Sequence, residues 1–201
     1  MDAAAVKPFL PWLAAVFLSA GCGPFRTLAT GAPEEEQSAR LAVPVARREG
    51  RRECGLSVLE MLARYYRVQI APEDLERLEE KARSERGVPG RVLEETLERN
   101  GFAAYVFAGD LLDRQTPRGI TYHLERGRPL IVMLDVRGPG RHYTIVSGLD
   151  RGGDRVFLAD PALGAVQCSR AAFLRMWEAA GRFTLLAVPS RGAGAAIPEG
   201  G

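Results

Sequence analysis

The chain reads as an α+β protein with N-terminal helices packed on an antiparallel sheet. Three observations predict this. Between residues 54 and 101 apolar residues recur at three- and four-residue steps, as one buried face of a helix requires. From 102 to 188 they come instead as short apolar or alternating runs bounded by Gly, Pro and Asp, as strands require. Both ends of the chain lack either period, and the middle that remains is about 150 residues, a usual size for one domain with a single core.

The N-terminal end has its own logic. Residues 1–21 carry Lys7, the apolar run from Phe9 to Leu18, and Ser19-Ala20-Gly21. That run is short for a membrane span and suits the h-region of a signal peptide. Leu18-Ser19-Ala20-Gly21-Cys22 resembles the bacterial lipobox, which implies cleavage before Cys22 and lipid attachment there. Gly23 lacks the aspartate that marks inner-membrane retention, so the resemblance implies a lipid anchor on the periplasmic side of the outer membrane of a bacterium. Cleaved secretion and a retained anchor are the alternatives. Residues 22–42, with Glu34-Glu35-Glu36 and no period, read as a flexible tether, and 190–201 as a disordered tail of Ser, Gly, Ala and Pro.

The folded part is expected at 43–189. It enters through the extended Leu41-Ala42-Val43-Pro44-Val45, and a helix follows at 54–67, with Leu56, Leu59, Leu62 and Tyr66 on one face. A second helix, 72–86, opens on Pro72 and alternates acids and bases around Leu75 and Leu78, the pattern of a solvated face. A third follows Val88-Pro89-Gly90 and stops at Asn100-Gly101. Then come a strand from Phe102 to Phe107, a helix from Thr116 to Arg126, and strands at 129–134, 142–148 and 155–160, the last two joined by a Gly152-Gly153 hairpin turn. A helix at 170–179 and a strand from Phe183 to Val188 close the domain, its second half reading as an antiparallel meander.

Composition narrows the function. Hydrophobic residues at 46%, charged residues at 26% and a formal charge of +2 are ordinary for a soluble domain and give no case for nucleic acid. No G-x-x-x-x-G-K motif is present, so nothing points to ATP. The cysteines and two histidines lack zinc spacing, and neither a metal nor another cofactor is implied.

The chemistry centres on Cys54. It stands at the first turn of its helix, where unpaired N–H groups and the positive end of the helix dipole favour a thiolate, and Gly55 allows close backbone approach. The bland alternative is a buried, inert thiol. A nucleophile needs a base, and His142 opens a strand after Gly138-Pro139-Gly140-Arg141. Asp160 ends the next strand of the same hairpin, within reach of His142 across the ladder. Cys54, His142 and Asp160 thus supply nucleophile, base and orienting carboxylate in that order. Asp160 before Pro161 also reads as a turn former, and Cys54 with Cys168 as a disulfide; His123 reads as structural, and Phe173, Met176 and Trp177 as core.

ECGLSVLEMLARYY, GRPLIVML, RHYTIVSG and VFLADPALG, in this order and at these separations, resemble the double-glycine leader peptidases of bacteriocin maturation, cysteine peptidase family thirty-nine of the papain-like clan. The resemblance covers about residues 43–189. It implies a papain-like cysteine peptidase fold, a peptide or protein substrate, and the roles just given to Cys54, His142 and Asp160. It also exposes a departure. Six residues before the cysteine the family usually has a glutamine that helps hold the oxyanion, and Arg48 stands there, between Arg47 and Glu49. Loss of one such donor costs about a hundredfold or more in rate. Relatives best known for leader cleavage are fused to a transporter and its ATPase, for which this chain has no room, so its substrate need not be a double-glycine leader. A stand-alone lipid-anchored peptidase is the expectation. A catalytically weakened peptide-binding domain and a Cys-dependent acyl-transfer enzyme are the alternatives.

Overall fold

A computed structural model describes residues 24–27, 40–46, 54–85, 87–136 and 140–190. Three helices come early in the described chain: α1 (Cys54–Tyr66), α2 (Pro72–Ser84) and α3 (Gly90–Arg99). The strands are β1 (Arg26–Thr27), β2 (Phe102–Ala108), β3 (Leu130–Val136), β4 (Gly140–Leu149), β5 (Arg155–Asp160), β6 (Gly164–Ser169) and β7 (Phe183–Pro189). Two more helices, α4 (Ile120–Leu124) and α5 (Arg170–Ala179), lie between strands. The strands form one seven-stranded sheet in the order β1-β6-β5-β4-β3-β7-β2, every neighbouring pair antiparallel.

The sheet has a helical layer on each face, because successive strand residues point to opposite sides. Ile131, Tyr143, Ile145, Ala159 and Leu185 join Leu56, Leu59, Met61, Leu62, Leu78, Leu93 and Leu97 of α1, α2 and α3. Their neighbours Leu130, Val132, Val146 and Leu158 join Ile120, Phe173, Met176 and Trp177 of α4 and α5. Leu56, Leu59, Met61 and Leu62 are fully buried, so the apolar stripe of α1 is seated over its whole length. At about 1.5–3 kcal/mol per buried side chain, that seating and not intrinsic propensity holds the helix.

Most expected elements are present, and their stops have the expected causes. α1 ends where Arg67 turns left-handed (φ 57°) and Val68 N–H returns to Ala63 O at 2.9 Å. α3 ends at Asn100, followed by Gly101 at φ 83°, and Gly153 at φ 68° turns the β4–β5 hairpin. Within 43–189, three features differ from the sequence reading. The expected helix from Thr116 to Arg126 shrinks to Ile120–Leu124, because the N–H groups of Ile120, Thr121 and Tyr122 donate to the carbonyls of Asp110, Leu111 and Asp113 rather than to those one turn earlier, and Gly119 bridges to Asp110. β6 was not expected, since Gly, Ala, Gln, Cys and Ser are weak strand formers; only its burial alternation betrays it. The meander β3-β4-β5-β6 is real, but β7 passes to the other side of β3 and β2 pairs beyond it.

Near the start of the chain, Arg26–Thr27 pairs with β6, and Leu41 N–H donates to Ser147 O at 2.7 Å beside the register shift in β4. Ala46 is buried in the same cluster as Cys54.

Candidate active site

The site forms where the first turn of α1 meets the first turn-proximal residues of β4. Cys54 heads α1, held down by the apolar residues that follow it, and retains 9% of its exposure. His142 lies two residues into β4, opposite Leu134 of β3. Asp160 is the last residue of β5 and is 1% exposed. All three are brought together. His142 Nε2–H donates to Asp160 Oδ2 at 2.8 Å, which leaves Nδ1 as the ring nitrogen for the thiol, and the Cys54 and His142 side chains are in hydrogen-bond reach.

Asp160 combines both roles that the sequence left open. Its Oδ2 faces His142, while Oδ1 accepts the N–H groups of Ala162 at 2.9 Å and Leu163 at 3.0 Å, the turn that leads into β6. The turn therefore fixes the carboxylate, and the carboxylate fixes the imidazole. Thr144 Oγ1–H donates to Ala159 O at 3.1 Å and ties β4 to β5 just behind.

The electrostatics follow from burial set against pairing. Burial opposes charge on Cys54, but hydrogen bonds from His142, from the backbone of Tyr143 and from the backbone of Gly55, with the charge of His142, outweigh it and hold the thiol below its usual range. Burial likewise lowers His142, yet its bonds to Asp160 and Cys54 and their charges raise it to about 9. Burial pushes the Asp160 carboxyl up, and its bond to His142, the imidazolium charge and the two turn N–H groups bring it below the ordinary value. The set is suited to a thiolate–imidazolium pair.

Sequence reasoning missed Tyr143 and Val88. The Tyr143 backbone meets the Cys54 sulfur, and its hydroxyl donates to Val88 O at 3.0 Å. A tyrosine next to the histidine was visible, but only its register shows which way it points. Cys168 is free and sits in the other apolar cluster, so the disulfide with Cys54 is not formed. His123 is buried away from the site, bonded to Pro117 O at 2.9 Å. Arg48, Cys22 and the Gly138-Pro139 pair lie outside the described residues. Among the described residues no cluster of three or more His, Cys, Asp or Glu is placed to hold a metal ion.

Against models of protein families, residues 42–189 match that of the peptidase C39 family. No curated protein matches the chain in sequence. Among solved structures, the peptidase domain of Streptococcus ComA, a bifunctional ABC transporter of a quorum-sensing pathway, superposes with TM-score 0.56 at 18% identity, covering 76% of this chain and all of that one (100%). A double-glycine motif protease from an AMS/PCAT transporter, solved with its leader peptide, gives 0.54 at 21% identity over 76% of this chain and 95% of that one. A C39-like peptidase of Bacillus anthracis gives 0.58 at 14% identity over 76% and 98%. At these identities the likeness shows a shared fold, the papain-like helices-on-sheet plan.

Proposed function

The chain belongs to the peptidase C39 family, and from that premise we propose that it is a thiol peptidase in which Cys54 is the nucleophile, His142 the general base and acid, and Asp160 the orienting carboxylate. The observation that carries the reading is the continuous contact from the Cys54 sulfur through His142 to the buried Asp160. In the first half-reaction the thiolate attacks the scissile carbonyl carbon, and the carbonyl electron pair moves to oxygen. Collapse breaks the C–N bond; the imidazolium gives its proton to the departing amine, and a thioester remains on Cys54. Water then attacks that thioester and loses its proton to His142. The second collapse releases the acid and restores the thiolate–imidazolium pair.

A solved relative by fold holds a leader peptide, so a peptide with a double-glycine leader is the first substrate to try. Arg48 stands where the family's oxyanion glutamine is expected, and we take it as the feature that slows or redirects this site. Arg48→Gln then raises turnover, and an unchanged or lower rate means that Arg48 already serves the oxyanion. Lipid attachment at Cys22 and a place in the cell envelope belong to the same proposal. Their test is metabolic labelling with a radioactive fatty acid, lost in Cys22→Ala.

Incubating the wild-type protein with such a peptide is expected to give cleavage that Cys54→Ala abolishes and His142→Ala lowers by about 10²–10⁴-fold. Cleavage that survives Cys54→Ala contradicts the reading.

A further inference from the structure

Two backbone groups favour the Cys54 thiolate, that of Gly55 in α1 and that of Tyr143 in β4. These groups belong to different layers of the molecule, and a single corner of chain joins them. Val88, between α2 and α3, is 4% exposed and lies so close to α1 that a Cβ on Gly55 would sit 3.0 Å from its own Cβ and 3.2 Å from its Cγ2. The carbonyl of the same Val88 accepts the Tyr143 hydroxyl at 3.0 Å, a buried bond between residues far apart in sequence. The Tyr143 ring meets Phe183 of β7 edge to face, centroids 5.8 Å apart, and Phe183 in turn closes on Gly90.

We propose that Tyr143 is a positioning residue for the Cys54 thiolate: its hydroxyl, through Val88, sets the spacing between the start of α1 and the start of β4, so that both backbone donors bear on the sulfur. Resting on the thiol-peptidase reading, the inference adds a residue that does not touch substrate through its side chain. Burial raises the Tyr143 hydroxyl far above its usual range, with a further push from the Cys54 charge, so it remains a donor wherever the peptidase would work. Without it the Val88 carbonyl is left buried and unpaired, and the corner has a reason to move. An added methyl on Gly55 presses on the same corner, since Val88 would have to yield by a few tenths of an ångström.

The test is the pH dependence of iodoacetamide labelling at Cys54, read by mass spectrometry on the full chain. Wild type is compared with Tyr143→Phe, Gly55→Ala and Tyr65→Phe. Tyr65 is the control because its hydroxyl makes the same kind of bond, to Gly127 O at 2.9 Å, at the far end of α1. Tyr143→Phe and Gly55→Ala are expected to move the labelling midpoint up by about one pH unit, which lowers the rate below the midpoint about tenfold. Tyr65→Phe leaves the midpoint where it is. A Tyr143→Phe protein, or Gly55→Ala if the former does not fold, with the wild-type midpoint overturns the positioning role while leaving the peptidase reading intact. An equal upward shift in Tyr65→Phe also overturns it, since general loosening would then suffice. A wild-type thiol with an ordinary midpoint overturns both.

Discussion

Cys54 and Cys168 are both buried and unpaired, yet their surroundings push them in opposite directions. Cys168, with apolar neighbours, is raised by burial to about 12, whereas the bonds around Cys54 overcome burial and lower it. In the native protein at about pH 8, an alkylating probe is therefore expected to modify Cys54 and spare Cys168 until denaturant is added, a result read from peptide masses. His142 gives the second prediction at this scale. It must be protonated to serve the leaving amine, so turnover is expected to fall as pH rises through about 9. Asp160→Asn removes the carboxylate charge that holds the proton while burial still opposes it. The alkaline limb of the pH–rate profile should then move to lower pH, toward the ordinary 6.5, and a limb left in place would show that Asp160 does not support the charge.

At the scale of elements, the turn into α4 tests how closely that helix is docked on the loop at 110–113. A Cβ on Gly119 would lie 2.0 Å from the Asp113 carbonyl oxygen, and backbone cannot yield as a side-chain tip can. Gly119→Ala is expected to cost about 1–3 kcal/mol, seen as a lower urea midpoint. This stretch is also where the sequence misleads. Thr116 to Arg126 has an acceptable helical pattern, but the loop at 110–113 takes the N–H groups of Ile120, Thr121 and Tyr122 that would bond one turn back in a longer helix. By contrast α1, α3 and the β4–β5 hairpin were legible, because apolar period, a left-handed glycine stop and a Gly-Gly turn all agree locally. Of the site, Cys54, His142 and Asp160 were legible as residue types at plausible places. The corner at Val88 was not, since the bond from Tyr143 spans a sequence separation of 55. Pairing of β7 between β3 and β2 was hidden likewise, because strand order is decided by long-range contacts.

For the whole molecule, the site depends on a sheet held between two apolar layers. Trp177 is fully buried in the layer away from α1, and its indole N–H donates to Phe183 O at 3.0 Å. Trp177→Ala should cost about 3–5 kcal/mol in a urea titration, a large fraction of a domain's stability. Phe183 also backs Tyr143, so this variant should weaken thiol reactivity only where it unfolds the sheet, near its own transition. The two layers meet the chemistry at one line of contact: α1 brings the sulfur, β4 the imidazole and β5 the carboxylate.

That line of contact is most directly tested by the rate of iodoacetamide labelling at Cys54 in wild type and in His142→Ala, at about pH 7. Fast labelling of the wild type that drops at least about tenfold in His142→Ala is the predicted result, since the imidazolium is the main partner that favours the thiolate. Equal, slow labelling of both proteins would contradict an activated nucleophile at the head of α1.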